Sequence, residues 1–295
     1  MSPDLAWSRW SEERARRIES VIADLLPPAA EPPQRLHEAM RYAVLGGGKR
    51  ARALLAYAAG QLTDADAGAV DHAAAAVELV HAYSLIHDDL PCMDDDVLRR
   101  GKPTCHVAFG EAVALLAGDA LQSFAFETLA GGALRDPGRA ALVLAQAVGS
   151  RGMAGGQAID LACVDKALDL SELERMHRLK TGALIRAAVR LGADCGRTMD
   201  ADENDALLRY ASAIGLAFQV VDDVLDVEGT AQSLGKTAGK DAVQRKSTYV
   251  TLLGLAAARE RIEALRVEAR EALSRFGPRA RRLEELADWI AVRTH

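Results

Sequence analysis

At 295 residues the chain could form one large domain or two ordinary ones, and 49% of it is hydrophobic although only 4% is aromatic. Apolar content carried by Ala, Leu and Val favours helices over the β-branched and aromatic surfaces of a sandwich or barrel. A net charge of −6 excludes the basic footprint of a non-specific nucleic-acid binder, and charged residues are too well interleaved with apolar ones for a disordered chain.

From Leu5 to Leu26, apolar residues (Ile18, Val21, Ile22, Leu25) recur near helical spacing, and Pro27-Pro28 and Pro32-Pro33 punctuate the loop that follows. A second helix should end near Gly46-Gly47-Gly48, which cannot continue it cheaply. Segments 50–60 and 70–88 read as Ala-rich helices, and Gly131-Gly132 and Asp136-Pro137-Gly138 mark a turn. Ser171 and Glu174 read as a capping box that opens a helix through Leu191. A polar loop is expected over 192–205 and a helix over 206–227. A Gly/Thr/Lys-rich segment, 229–247, then precedes two helices divided by Gly277-Pro278. With no strand alternation, repeat or linker, the expectation is one all-α domain over 1–295, built from roughly ten helices.

Four scattered cysteines (Cys92, Cys105, Cys163, Cys195) form no CxxC pair, so reduced thiols are expected rather than a disulfide framework or zinc site. The N-terminus carries Asp4, Glu12 and Glu13 and lacks the apolar core of a signal peptide. No run of 18 uncharged apolar residues occurs, since Asp119 and Glu127 interrupt region 112–134. A cytoplasmic chain without an integral membrane segment is the expectation.

Two acidic clusters stand out, His87-Asp88-Asp89-Leu90-Pro91-Cys92-Met93-Asp94-Asp95-Asp96 and Gln219-Val220-Val221-Asp222-Asp223-Val224-Leu225-Asp226. Carboxylates embedded in apolar sequence should face a cavity, because burying them bare is costly. Asp222 and Asp226 are i and i+4 on one helical face, and oxygen-only ligands at that spacing suit Mg²⁺. In the first cluster an ideal wheel aligns Asp95 with Asp88, but Pro91 disturbs the helix, so the wheel cannot choose between Asp94 and Asp95. Basic groups complete the pattern: Gly47-Gly48-Lys49-Arg50-Ala51-Arg52, Arg99-Arg100-Gly101, Lys180-Thr181-Gly182 and Gly235-Lys236. Cations at four places beside metal-binding carboxylates suit more than one phosphate group.

The motif series GGKR, DDLPCMDDD-VLRRGKPTCH, HRLKTGALI, FQVVDDVLD, LGK and KSTY, in that order, resembles the trans-isoprenyl diphosphate synthases, closest to the bacterial farnesyl diphosphate synthases. The resemblance covers about residues 40 to 255. It implies an orthogonal helical bundle of the isoprenoid synthase type with a central active-site cavity, usually homodimeric. It also implies a Mg²⁺-dependent condensation, with three ions per site, of isopentenyl diphosphate with dimethylallyl or geranyl diphosphate. By resemblance Asp88, Asp94 and Asp222 hold the ions, with Asp89, Asp223 and Asp226 as further candidates. Arg99, Lys180 and Lys236 would grip the allylic diphosphate, with Thr181 and Gln219 supporting the leaving group or cation. Lys49, Arg52, His81 and Arg100 would bind isopentenyl diphosphate. His87 reads as structural, and Lys246 as either a helix start or a flap contact. The family often has Pro where this chain has Ala53.

The hydrocarbon tail would run back along the helix before Asp88, past Ser84 and Tyr83, four and five residues earlier. The family associates an aromatic at the Tyr83 position with a C15 product, so farnesyl diphosphate is expected and geranylgeranyl diphosphate is the alternative. A terpene cyclase would lack the GGKR and second-aspartate combination. An HD-type phosphohydrolase leaves the second cluster unexplained, and a non-catalytic subunit would carry degenerate motifs. The two clusters hold eight aspartates, more than the whole excess of negative charge, so the chain is not acidic in general.

Overall fold

The computed structural model describes residues 3–163, 166–228 and 247–293. Fourteen α-helices occur among them, more than the roughly ten expected, because several long helical stretches are broken. The first four are α1 (Pro3–Leu25), α2 (Gln34–Val44), α3 (Ala51–Leu62) and α4 (Ala67–Asp88). Asp66 opens α4 by accepting from the amides of Gly68 and Ala69. Helix α4 is buried on nearly every side, and its Ala-rich sequence lets neighbours approach from all round. It stops at Asp88 because Leu90 precedes Pro91, and a residue before proline is disfavoured in helical conformation.

A two-residue ladder follows, β1 (Leu98–Arg99) antiparallel to β2 (Lys102–Pro103), which alternation did not reveal. Its turn residues Arg100 and Gly101 both have positive φ, 53° and 73°, the signature of a tight hairpin turn. Then come α5 (Cys105–Phe109), α6 (Glu111–Gly131), α7 (Pro137–Val148), α8 (Met153–Ala162), α9 (Leu170–Lys180), α10 (Gly182–Asp194) and α11 (Ala201–Glu228). The chain closes with α12 (Tyr249–Leu253), α13 (Leu255–Ala272), a 3-10 turn at Ser274–Ala280 that contains Gly277-Pro278, and α14 (Arg281–Val292).

Helix α4 packs on α3, α6 and α10, while α10 packs on α3 and α11, and α11 on α13. The α3–α10 contact is close because Gly192 lacks a side chain; a Cβ there would lie 2.1 Å from the Ala56 carbonyl oxygen.

Three boundaries differ from expectation. The capping box belongs to Asp169 and Glu172: Asp169 Oδ1 accepts from the Glu172 amide and Glu172 Oε2 from the Asp169 amide, each at 2.9 Å. Glu174 is engaged elsewhere, accepting from the Tyr249 hydroxyl and from Arg178 and Arg261. The helix expected to run through Leu191 breaks at Thr181 (φ −109°), which separates α9 from α10. The loop after α10 is shorter than expected, since α10 extends to Asp194 and a second box, Asp200 with Glu203, starts α11 at Ala201.

By length and composition α6 is the one described helix apolar enough to cross a membrane. One face packs against α2, α4, α5 and α7, while Leu115 and Leu116 stay exposed.

Candidate active site

The first acidic cluster lies where α4 ends and the chain folds back. The Asp94 amide donates to the Asp88 carbonyl at 2.8 Å, which returns Asp94 to the end of α4. Asp95 adopts a left-handed φ of 51° and is exposed. The wheel that aligned Asp95 with Asp88 does not apply, because no helix continues past Asp88. Burial pushes the Asp88 carboxyl up to about 6; Lys180 opposes this and Asp94 reinforces it. Asp89 points elsewhere: it is 2% exposed, and the Arg99 guanidinium grips it in a fork, with Nε–Oδ2 2.8 Å and Nη2–Oδ1 2.6 Å. Arg99 reaches it from β1, so the hairpin positions this cation.

The glycine run forms a loop with φ of 96°, 119° and 109° at Gly46, Gly47 and Gly48, a region open to glycine at little cost. Arg100 lies across it, donating to the Gly47 carbonyl at 2.6 Å, and a Cβ on Gly48 would come within 2.7 Å of the Arg100 guanidinium. Arg50 is buried and committed to Glu19, Glu78 and the Val44 carbonyl. The same Glu78 accepts from the Ala53 amide at 3.0 Å, a bond that proline at this position could not donate. Lys49 lies 5.8 Å from the Trp289 ring and Arg52 5.8 Å from the Phe218 ring.

Burial lowers the pKa values of Arg52 and Arg100, and each also feels repulsion from other arginines. Burial likewise pushes His81 well below the ordinary imidazole range, helped by Arg52, Arg100, Arg99 and Arg50, so its ring is neutral. Arg52 Nε is a buried donor with no acceptor among the described residues. Four of the sequence-derived residues, Lys49, Arg52, His81 and Arg100, thus belong to one electropositive region.

In the second cluster Asp222 and Asp226 lie one turn apart on α11. Asp222 Oδ1 accepts from Arg293 Nη2 at 2.7 Å, and the same guanidinium stacks 3.7 Å above Phe218. Lys49 and Arg52 also feel the Asp222 charge, which links this cluster to the glycine loop. Asp223 is 3% exposed and already satisfied: Oδ2 accepts from the Tyr249 amide at 2.8 Å and Oδ1 from Gln219 Nε2 at 3.1 Å. Gln219 Oε1 accepts in turn from the Thr181 hydroxyl at 3.1 Å, so the break between α9 and α10 is tied to α11. Buried His177 stacks on Tyr249 and lies 3.7 Å from Asp223 Oδ2.

Tyr83 is buried between α4 and α6, bonded to Gln122 and edge-on to His87 with ring centroids 5.8 Å apart. Ser84 donates to the His81 carbonyl. His87 braces α4 on α6, its Nε2 3.1 Å from the Leu115 carbonyl oxygen and its ring seated on Gly118. Lys236 and Lys246 lie outside the described residues. Two residues escaped sequence reasoning, Arg293 beside Asp222 and Asp160 beside Lys180, where Lys180 Nζ donates to Asp160 Oδ2 at 2.6 Å.

Among the described residues no three acidic, His or Cys side chains are already gathered as a metal site. The donor set still fits Mg²⁺, which takes one or two carboxylates and fills its octahedron with water and substrate phosphate. Two observations agree with a cation there. Asp88 and Asp94 repel one another, and Asp222 has already drawn in a guanidinium.

The polyprenyl synthetase family matches residues 33–275. The chain is 52% identical over 284 residues to a probable farnesyl diphosphate synthase of Sinorhizobium fredii, covering 94% of this chain and 85% of that protein. It is 48% identical over 287 residues to the chloroplastic geranylgeranyl pyrophosphate synthase of Catharanthus roseus, covering 95% and 79%. The crystal structure of an FPP/GFPP synthase from Zymomonas mobilis superposes with a TM-score of 0.86 at 42% identity, covering 98% of this chain and 99% of that one. The family match spans more than half of the chain, and the helical architecture agrees. The chain therefore belongs to the polyprenyl synthetase family, a family of Mg²⁺-dependent enzymes, and is a trans-prenyltransferase that acts on diphosphate substrates.

Proposed function

We propose that the protein is a farnesyl diphosphate synthase that condenses isopentenyl diphosphate with dimethylallyl and then geranyl diphosphate. The single observation that carries the two-diphosphate reading is the division of charge. Arginines whose burial disfavours the charged form (Arg52, Arg100) sit on one side, and a carboxylate whose burial does the same (Asp88) on the other. Arg52 Nε, a buried donor with no acceptor among the described residues, suits a phosphate oxygen of the isopentenyl substrate, with Lys49, His81 and Arg100 in the same electropositive region.

Asp88, Asp94, Asp222 and Asp226 would hold Mg²⁺, three ions per site by family resemblance. When bound, the metal neutralises negative charge on the departing diphosphate. Lys180 and Arg99, with Lys236, meet the allylic diphosphate. Asp89 acts by holding Arg99, and Asp223 by holding Gln219 and Tyr249. Thr181 and Gln219 present oxygens to the allylic cation that ionisation creates. A neutral His81 donates one hydrogen bond rather than acting as an acid. Loss of a proton to the released diphosphate completes the reaction without a side-chain base.

Tyr83 supports the C15 product, because a buried ring one and a half turns before Asp88 closes the path of a longer tail. Identity of 52% to a probable farnesyl synthase and 48% to a geranylgeranyl synthase does not itself separate C15 from C20. Product chromatography after dephosphorylation, with dimethylallyl and geranyl diphosphate offered separately, tests the reading. Farnesol from both supports it, geranylgeraniol would replace it with the C20 alternative, and phosphate release without condensation would refute it.

We also propose a cytoplasmic homodimer. Leu115 and Leu116 on α6, Val107 on α5 and Leu142 on α7 are 47–57% exposed and apolar, surface suited to a second copy. Light scattering should give the dimer mass for the wild type and the monomer mass for L115E/L116E; a monomeric wild type would refute the dimer.

A further inference from the structure

Lys180 is already engaged before any substrate arrives. Its Nζ donates to Asp160 Oδ2 at 2.6 Å, and it also feels the charges of Asp88 and Asp94. Asp160 is 7% exposed and projects from α8, a helix that neither aspartate motif nor the basic loop includes.

The geometry of α8 explains how the carboxylate gets there. Gly156, one turn earlier, lies against the end of α9; a Cβ at that position would come within 2.2 Å of the Lys180 amide nitrogen and 2.5 Å of its Cα. Residues i and i+4 share a helix face, so the glycine that admits the Lys180 backbone also directs Asp160 to Lys180 Nζ. Gln157, next to Gly156 on the same helix, has both amide atoms buried and without a partner among the described residues. A buried, unsatisfied amide is unusual in a native core and marks a place where water or ligand completes the bonding.

We propose that Asp160 is a positioning residue for the allylic substrate. It fixes the Lys180 ammonium where the diphosphate oxygens arrive and is its counter-ion until they do. The proposal rests on the assignment of Lys180 to the allylic diphosphate. A lysine stem has many rotamers and an ammonium buried alone sheds its proton, so one carboxylate from α8 both orders the side chain and keeps it charged.

Steady-state kinetics with each substrate varied in turn, on D160N, D160E, K180Q and D160N/K180Q, provide the test. D160N should lower kcat/KM for geranyl diphosphate about 10- to 100-fold, the scale of a misplaced binding group. KM for isopentenyl diphosphate should stay within about twofold, D160E should recover part of the loss, and D160N should add no more than about twofold in the K180Q background. If D160N does not fold, D160E and D160S carry the same comparison. Overturning results are an unchanged kcat/KM for geranyl diphosphate, equal changes in both KM values, or a D160N cost retained in full beside K180Q. A K180Q enzyme with wild-type allylic kinetics would refute the assignment of Lys180 itself, and only that failure makes K180Q harmless.

Discussion

The first aspartate cluster sits on a loop that folds back from the end of α4, whereas the second lies within unbroken turns of α11. Proline at position 91 makes the difference. In the first cluster a backbone bond from Asp94 to Asp88 replaces the spacing that the α11 helix supplies to Asp222 and Asp226. Both arrive at the same division of labour. The leading aspartate of each adjacent pair, Asp88 or Asp222, is placed to meet cations, while the second, Asp89 or Asp223, is satisfied by its own protein. The anchoring partners differ in reach. Arg99 comes from the hairpin ten residues on, but Tyr249 lies 26 residues after Asp223 and Arg293 71 after Asp222. The second cluster is thus held by the C-terminal third of the fold, and the first by its own loop.

That contrast can be broken experimentally, starting with the largest effect. D88N, D94N and D222N should each cost about 10²–10³-fold in kcat, while D95N should stay within about threefold, because the Asp95 side chain is exposed. Equal losses for D94N and D95N would remove the distinction that the folded-back loop creates.

Stability separates the second members of the pairs. D223A strands the Tyr249 amide and the Gln219 side chain, and D89A leaves Arg99 without its fork. Each should destabilise by about 2–4 kcal/mol in urea unfolding, the scale of a broken buried polar network. D222N, at a half-exposed carboxylate, should change stability by less than about 1 kcal/mol.

A pH effect follows from Asp88. Its folded pKa of about 6 lies above the ordinary carboxylate value, so the folded chain binds this proton more tightly than the unfolded one. Its contribution to stability is therefore present at low pH and lost as pH rises through about 6. In metal-free protein D88N should gain roughly 1–3 kcal/mol over wild type at pH 7.5 and almost nothing near pH 3, below the unfolded carboxylate pKa, as read by unfolding at the two values. An equal gain at both would deny the buried charge.

Smallest in rate but clearest in outcome, Y83A should lengthen the product while kcat changes by less than about tenfold, because the ring is remote from the bonds that break. An unchanged C15 profile on dephosphorylation and chromatography would sink the stop at Tyr83.

Much of this arrangement was legible in the chain. Asp222 and Asp226 needed only the helical period, and the glycine run announced a loop that exposes Lys49 and Arg52. The choice between Asp94 and Asp95 was not legible from a wheel, since it depends on where Pro91 ends α4. Nor could spacing choose between two overlapping capping boxes, Asp169 with Glu172 and Ser171 with Glu174. Glu174 is taken by Tyr249, Arg178 and Arg261, contacts that exist only in the folded chain. Asp160 carried a signal of the same kind as the clusters, a lone carboxylate in the apolar run Ala158-Ile159-Asp160-Leu161-Ala162. Arg293 carried none, because its partner lies 71 residues away.

The division of labour is tested most directly by the Mg²⁺ dependence of the condensation rate in D222N and D223N. The account predicts that D222N raises the half-saturating Mg²⁺ concentration at least about tenfold, or abolishes saturation, whereas D223N shifts it by less than about twofold. An equal displacement in both variants would contradict it.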